Sequence, residues 1–158
     1  MYDDSWYNVA EMTENRLDQI DHHIIAALKQ DGRMPFAQLA RELDVSPGMV
    51  RERYHRLVQD GILQVVAVTN PLKVGYRVMT LIGIKVQDRP LDEVARQVAE
   101  LEEAIYIVLC TGAYDLLAEV VCRDNAHLLA LLKRLRTIEG ICNTESFVYL
   151  DIVKEIYI

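Results

Sequence analysis

The sequence PFAQLARELDVSPGMVRERYHRLVQ, residues 35–59, carries the strongest structural signal in this chain. Its apolar residues recur at helical spacing in two runs, which are separated by the short segment Asp44-Val45-Ser46-Pro47. Ser46 is a favourable N-cap, and Pro47 suits the first position of the helix that follows. Two short helices joined by a tight turn predict a helix-turn-helix.

The second helix of this pair has an outer face suited to DNA. With Val50 at its buried centre, a rotation of about 100° per residue turns a largely polar and cationic surface to the opposite side. Arginine can bind O6 and N7 of guanine or grip a phosphate, so we expect this helix to lie in the major groove. An ordinary solvated helix would also carry arginines, but the Ser-Pro start and the β-rich run that follows favour DNA binding. The residues predicted to contact DNA are Ser46, Pro47, Gly48, Met49, Arg51, Glu52, Arg53, His55 and Arg56.

The flanking segments complete a winged helix-turn-helix domain over residues 17–68. Upstream, apolar residues spaced three and four apart from Leu17 onward predict a helix that ends at Asp31-Gly32. Downstream, the β-rich run Leu63–Val68 is predicted to form the wing strand. Residues 1–16 show no clear period and are predicted to form a mobile or partner-packed arm.

The pattern changes after residues 69–77, a Pro- and Gly-containing segment that we interpret as a hinge. From Val78 onward, β-rich and amphipathic helical runs follow in the order β-α-β-β-α-β, the ferredoxin-like arrangement. The chain is therefore predicted to be an α+β protein with a ferredoxin-like (ACT-like) domain over residues 78–158. The predicted elements of this domain are strands Val78–Val86, Ile105–Cys110, Leu116–Cys122 and Gly140–Val153, and helices Leu91–Leu101 and Ala126–Arg136.

The first predicted strand of this domain, Val78–Val86, is apolar on both faces. A four-stranded sheet covered by two helices needs only one apolar face. We therefore expect the second face to pack against another copy of the chain, which predicts an obligate dimer. A dimer that places two recognition helices in successive major grooves would bind an imperfect palindrome of double-stranded DNA.

The loop Thr111-Gly112-Ala113-Tyr114-Asp115 joins two predicted strands. Gly112 can adopt a backbone conformation closed to other residues, which would leave backbone N–H groups free for a ligand carboxylate. Asp115 would then face an ammonium group. A plain hairpin turn, in which Asp115 serves only the turn geometry, is favoured by these residues taken alone.

The net charge of −7 argues at first against nucleic acid, but its distribution matters more. Residues 1–22 carry one base and six acids, residues 23–80 carry eight bases and five acids, and residues 81–158 carry eight bases and thirteen acids. Only the middle segment is net positive, and it contains the predicted recognition helix. Because salt screens charges beyond about 10 Å, a local basic face on an acidic protein can still bind DNA.

Patterns typical of catalysis or metal binding are not visible, so we predict no enzyme activity, no metal and no cofactor. The N-terminal segment lacks the apolar region of a signal peptide, and no apolar run is long enough to span a bilayer. Cys110, Cys122 and Cys142 form no CxxC pair and are interpreted as buried small residues in a reducing compartment. These features predict a cytoplasmic protein.

Several stretches resemble the Lrp/AsnC (feast/famine) family. They are LDQIDHHIIAALKQDGR and AQLARELDVSPGMVRERYHRLVQDGIL, then VTNPLKVGY, and finally CTGAYDLLAEV and EGICNTESFVYLDIVKE, which together span roughly residues 17–155. The resemblance implies a sequence-specific DNA-binding transcriptional regulator, often of amino-acid metabolism. It also implies dimers that form through the C-terminal sheets and frequently assemble into octamers.

The resemblance also implies roles for particular residues. Arg53 would support a phosphate contact and Leu57 would pack in the core, whereas Met49, Arg51 and His55 lie at positions where target choice varies.

For the second domain, the resemblance implies an effector site for an amino acid or a related metabolite that modulates assembly or DNA affinity. Members of the family often have Asp where this chain has Ala113, which removes one carboxylate from the site. The implied effector residues are Thr111, Gly112, Ala113, Tyr114 and Asp115, joined by Asn143, Thr144 and Ser146 of a neighbouring subunit.

Two other functions fit the same two-domain plan. A sirohaem decarboxylase-like enzyme would place His or Arg side chains around a tetrapyrrole, yet no histidine occurs between His55 and His127. A Soret band on haem titration would favour that enzyme. A sensor module that has lost DNA binding would have a neutral recognition face, whereas this helix keeps three arginines.

Overall fold

A computed structural model describes residues 17–154, and these residues form two compact units. The first unit ends at Val68 and the second begins at Thr69. The arm predicted over residues 1–16 lies outside the described residues, as do residues 155–158.

The first unit contains three helices, α1 (Gln19–Gln30), α2 (Phe36–Glu42) and α3 (Pro47–Gln59). The N-terminus of α1 is closed by a capping box, in which Asp18 and Asp21 each accept a hydrogen bond from the backbone N–H of the other at 2.9 and 3.2 Å. The N-cap of α3 is the predicted Ser46, whose hydroxyl accepts a hydrogen bond from the Met49 N–H at 3.2 Å. The helix-turn-helix prediction is confirmed.

The core of the first unit lies between the three helices. The inner face predicted for α3 is confirmed at Val50 and Leu57, which are fully buried. Tyr54 is half-buried on the same face, where its ring packs on Phe36 with the ring centroids 5.1 Å apart. The other buried residues of this core are Ile24, Leu28, Leu39, Ala40 and Leu63.

The prediction of a wing strand over Leu63–Val68 is wrong for the described chain, because this segment has no strand conformation. A β-strand requires a hydrogen-bonded partner strand, and none of the described residues pairs with this segment. Val65, Val66 and Val68 are instead exposed. The high β-propensity of the segment was therefore insufficient to predict its structure.

The second unit begins with a short 3₁₀ helix, Pro71–Lys73, within the predicted hinge. Its further elements are β1 (Val78–Val86), α4 (Leu91–Ala99), β2 (Ala104–Leu109), β3 (Leu116–Cys122), α5 (Asn125–Leu135) and β4 (Ile141–Val148). The four strands form an antiparallel sheet in the order β2-β3-β1-β4, and α4 and α5 cover one face. This order confirms the ferredoxin-like βαββαβ prediction.

The last strand is shorter than predicted, because β4 ends at Val148 and not at Val153. β1 is the neighbour of β4, and their last paired residues are Thr80 and Val148. Beyond this pair, Leu150 and Val153 are almost fully exposed. The apolar pattern continues past Val148, and the Tyr149 N–H still donates to the Met79 carbonyl oxygen at 2.9 Å, but the strand conformation ends at Val148.

One face of the sheet packs against the helices α4 and α5, and the other face does not. Ile82 and Ile84 of β1, together with Ala118 of β3, face the helices and are fully buried. The alternate residues face the opposite side, which we call the open face. Register places four of them side by side across the sheet: Tyr106, Glu119, Leu81 and Phe147.

Glu103 is a buried acid at the start of β2, with a 5% exposed side chain. Its carboxylate bonds to the His127 Nε2 at 2.7 Å and accepts a hydrogen bond from Arg134 at 2.5 Å. Burial raises the pKa of this carboxyl, but the hydrogen bonds from Arg134 and His127 outweigh it and the pKa is lowered overall. His127 is therefore part of a structural hydrogen-bonded cluster around Glu103.

The cysteines are free thiols, but only Cys122 is buried. Cys110 is half-buried and Cys142 is exposed, so the prediction of three buried cysteines was wrong for these two. Cys142 lies on the edge strand β4, which has a neighbour on one side only.

Candidate DNA-binding and effector sites

The outer face of α3 is exposed as the helical period predicts. Met49 is 41% exposed, and Arg53 is the one half-buried member of the predicted DNA-contacting set. The exposed members are Ser46, Pro47, Gly48, Met49, Arg51, Glu52, His55 and Arg56. A helix with one buried face and one polar exposed face can be presented to a DNA groove.

Two of the three arginines are bound to acidic residues at the start of α1. Arg53 donates from Nη1 to Asp18 at 2.6 Å and to Asp21 at 3.1 Å. Arg56 donates from Nη2 to the other carboxylate oxygen of Asp21 at 2.5 Å. Asp21 is 1% exposed, so a buried carboxylate holds both guanidinium groups. We call these four residues the acid–arginine cluster.

At the exposed end of this cluster, Asp18 and Arg53 stabilise each other's charged forms. The hydrogen bond from Arg53 lowers the pKa of the Asp18 carboxyl, and the backbone N–H of Asp21 lowers it further. In turn, the hydrogen bond to Asp18 raises the pKa of Arg53. Both groups are therefore charged at neutral pH.

Arg51 differs from the other two arginines. It is exposed and forms no hydrogen bond or ion pair with any residue in the described part of the chain. Its charge is thus available to an external anion, whereas the charges of Arg53 and Arg56 are balanced within the unit. Sequence reasoning treated the three arginines as one basic patch and missed the acids of α1, which lie more than 30 residues away.

In the second unit, Gly112 has the predicted positive φ of 127°. Asp115, however, does not offer the predicted free carboxylate. One oxygen accepts a hydrogen bond from the Val86 N–H at 2.9 Å, and the other lies 3.4 Å from the Lys85 ammonium. The Val86 N–H lowers the pKa of Asp115, with a further contribution from Lys85. Asp115 therefore fastens the loop to the end of β1.

Lys85 is a site residue that the sequence analysis missed. Its ammonium donates a hydrogen bond to the Gly112 carbonyl oxygen at 3.5 Å. The same ammonium forms an ion pair with the Asp115 carboxylate. A lysine in a strand is ordinarily interpreted as a surface residue. The pairing of β1 with β3 brings it to the loop, which places a cation beside the Gly112 carbonyl oxygen and the Asp115 carboxylate.

Tyr114 extends from this loop over the open face. A Cβ atom at Gly83 would lie 2.7 Å from the Tyr114 ring, so the glycine leaves the space that the ring occupies. The same ring meets Phe147 edge-on, with the centroids 6.3 Å apart. The loop is therefore in direct contact with the open face of the sheet.

The three remaining predicted effector residues lie on β4 of the same chain. Asn143 pairs in register with Lys85, so it is close to the loop without a second subunit. Asn143 and Thr144 also line a shallow depression of about 220 Å³, together with Arg136, Ile141 and Cys142. Ser146 is exposed further along the strand and does not line this depression.

No group of three or more metal-ligating side chains occurs among residues 17–154. Within the same residues, no helix has the length and apolar character required to cross a membrane.

A helix-turn-helix unit is followed by a four-stranded α+β unit, which is the two-domain plan that the sequence predicted. The family model of the AsnC-type helix-turn-helix domain matches residues 17–58, and that of the Lrp/AsnC ligand binding domain matches residues 79–157. The chain belongs to the Lrp/AsnC family of transcriptional regulators.

Relatives and solved structures agree with this assignment. An HTH-type transcriptional regulator of Pyrococcus abyssi is 32% identical over 148 residues, which are 92% of this chain and 94% of the relative. A Pyrococcus furiosus regulator is 34% identical over 87% of this chain and 95% of its own. The structure of E. coli AsnC matches with a TM-score of 0.82 and 27% identity over 90% of this chain and 98% of that one. The leucine response regulatory protein of Mycobacterium tuberculosis has a TM-score of 0.81, with 27% identity over 88% and 96% of the two chains.

Proposed function

We propose that this regulator acts in the cytoplasm as a homodimer that binds an imperfect palindrome in double-stranded DNA. The single observation that carries the proposal is the outer face of α3, where exposed polar and cationic residues follow a well-formed helix-turn-helix. The proposed contacts are taken from the predicted set, with Arg51 as the residue free to bind a base or a phosphate: Ser46, Pro47, Gly48, Met49, Arg51, Glu52, His55 and Arg56. The ninth member of that set, Arg53, is bound to Asp18 and Asp21 and is left out of the proposed contacts. Two-fold symmetry places the half-sites about one or two helical turns apart.

The direct test is selection of bound fragments from the organism's own genomic DNA with the full-length protein. The proposal requires enrichment of fragments that share a two-fold symmetric motif. Recovery of fragments without a shared motif, at ordinary salt and with competitor DNA, would contradict sequence-specific binding.

Arg51→Ala is expected to weaken binding to the selected site by about 1–3 kcal/mol if Arg51 binds a base, and to relax specificity at one position of each half-site. A phosphate contact would instead weaken binding to all sequences alike and reduce the salt dependence by about two phosphates per dimer, one from each copy. Titration by fluorescence anisotropy at several salt concentrations distinguishes the two roles. Lys73→Ala, at an exposed lysine of the 3₁₀ helix in the second unit, is the matched control. Unchanged affinity and unchanged salt dependence in Arg51→Ala would exclude Arg51 from the interface.

The proposed dimer forms through the open face of the sheet. Tyr106 and Phe147 on this face are 47% and 44% exposed in the single chain. An apolar sheet face of this kind is ordinarily covered in a soluble protein. Assembly of dimers into octamers is part of the proposal and rests on the family alone.

The proposed effector is an amino acid or a related small carboxylate that binds at the Thr111–Asp115 loop. The Lys85 ammonium and the loop N–H groups would receive the ligand carboxylate, and Asn143 and Thr144 would border the site, with Ser146 beyond. Because Tyr114 contacts both Gly83 and Phe147, a ligand that displaces the loop alters the open face. Differential affinity of the ligand for two assembly states would then shift the population of assemblies and hence DNA binding.

Lys85→Gln is expected to weaken binding of a carboxylate ligand about tenfold or more, because a charge-assisted hydrogen bond is lost. Calorimetry against the twenty amino acids and common 2-oxo acids identifies the ligand and measures the change. Lys133→Gln, at an exposed lysine of α5, is the matched control. Undiminished affinity in Lys85→Gln, or a ligand found elsewhere by crystallography, would exclude this site, and binding of none of these compounds would exclude the ligand class.

A further inference from the structure

We propose that Asp21 sets the DNA specificity of this regulator by withholding Arg53 and Arg56 from phosphate and presenting the Arg56 guanidinium in one fixed orientation. The inference rests on the proposed DNA-binding function of α3. Asp21 itself makes no contact with DNA in this proposal, so it is a positioning residue.

The first argument is the geometry of the acid–arginine cluster. Asp21 uses both carboxylate oxygens, one for Arg53 at 3.1 Å and one for Arg56 at 2.5 Å. Its oxygens also accept the Asp18 N–H, and its own N–H donates to Asp18, so the carboxylate is fixed to the first turn of α1. A carboxylate held in this way acts as a rigid anchor for the two guanidinium groups.

The second argument is burial. A carboxylate that is 1% exposed loses its hydration, and a buried ion pair often stabilises a fold no better than apolar residues of similar volume. What a charged residue supplies here, and an apolar residue would not, is the orientation of the arginines. Because the Arg56 side chain remains 48% exposed, it can still reach a ligand from its fixed position.

The third argument is charge. The cluster contains two acids and two bases, so its net charge is zero. On the exposed part of α3, Arg51 is then accompanied by the opposite charge of Glu52. Sequence-independent attraction to DNA grows with the number of phosphates that are neutralised. A face with little free positive charge therefore binds random DNA weakly, and an oriented arginine contributes chiefly at the correct base pair.

The main test is Asp21→Asn in the full-length protein, a change that keeps the size of the side chain and removes its charge. We expect tighter binding to random DNA, a salt dependence steeper by about two phosphates per dimer, one from each copy, and a roughly tenfold lower ratio of specific to random affinity. Asp44→Asn is the matched control, because Asp44 is exposed, lies in the same unit, and has a positive φ of 52° that asparagine tolerates. Equal ratios in the two variants would overturn the proposal.

A second measurement does not depend on the folding of Asp21→Asn. If Arg56 is withheld from phosphate, Arg56→Gln lowers the affinity for the selected site but leaves the salt dependence on random DNA unchanged. Arg51→Gln, at the arginine of α3 with no ion-pair partner among residues 17–154, lowers that salt dependence by about two phosphates per dimer if each copy binds one. An equal or larger loss of salt dependence in Arg56→Gln than in Arg51→Gln would overturn the proposal.

The double variant Asp21→Asn/Arg56→Gln tests the route of the effect. Because Asp18 still holds Arg53 at 2.6 Å when Asp21 is replaced, adding Asp21→Asn to Arg56→Gln leaves the specificity ratio unchanged if Asp21 acts through Arg56. A further loss of specificity in the double variant would show that Asp21 acts otherwise. If the wild-type protein selects no DNA site at all, the proposed function itself fails. If the wild type selects a site but the ratio of specific to random affinity does not depend on Asp21, only the present proposal fails.

Discussion

Leu81→Glu is expected to convert the proposed dimer to a monomer. Leu81 lies on the central strand β1, in the middle of the open face, with Glu119 on one side and Phe147 on the other. A new carboxylate there adds a like charge beside Glu119 and removes apolar area from the face. In a two-fold interface the change occurs twice, so a cost of roughly 2 kcal/mol per copy weakens association about a thousandfold.

The existing acid on this face makes the added charge more damaging. Glu119 already has a hydrogen-bonding partner, the hydroxyl of Tyr149. Burial of this hydroxyl and, secondly, its hydrogen bond with Glu119 raise the pKa of Tyr149 to about 12. This partner is a single hydroxyl and cannot satisfy a second carboxylate. A glutamate at position 81 would therefore have to remain hydrated, which requires that the open face stays in water.

Light scattering and sedimentation at micromolar concentration measure the result. Leu129→Glu is the matched control, because Leu129 is 55% exposed on α5 and the same substitution there removes no packed side chain. A monomeric wild-type protein, or a Leu81→Glu variant that assembles as the wild type does, would contradict an interface on the open face. Circular dichroism checks that the variant is folded. We expect a wild-type spectrum, because Leu81 lies outside the core between the sheet and the helices.

Leu57→Ala is expected to abolish DNA binding while the second unit remains folded and assembled. Leu57 is fully buried in the core of the first unit. Truncation of a buried leucine to alanine costs about 2–5 kcal/mol. A domain of this size has about 3–8 kcal/mol of stability in total, at 0.05–0.15 kcal/mol per residue. The substitution therefore removes most or all of the stability of the first unit.

Differential scanning calorimetry and DNA titration together test this expectation. We expect an early unfolding transition, an intact later one, and loss of specific binding at 37 °C with unchanged oligomeric state. Leu131→Ala is the reciprocal control, because Leu131 is fully buried in the core of the second unit. Specific binding that survives in Leu57→Ala, with thermal unfolding like that of the wild type, would contradict the expected loss of stability in the first unit.

Several elements could be predicted because their causes are local. The bounds of α3, β1 and β3 agree with the predicted ones, since apolar period, N-cap and turn residues are all encoded within a few positions. The N-cap at Ser46 and the positive φ of Gly112 follow from single residue types in the same way. The outer face of α3 is a geometric consequence of burying Val50 and Leu57.

By itself, the sequence thus determined the family, the order of the elements and the exposed side of the recognition helix. Only the tertiary structure decided which long side chains meet, such as Arg56 with Asp21 and Lys85 with Asp115. It also decided that Leu63–Val68 has no partner strand. The physical reason is that helices and caps depend on neighbours within one or two turns. The partners of a charged side chain or an edge strand are selected across more than 25 residues, by packing that no local period records.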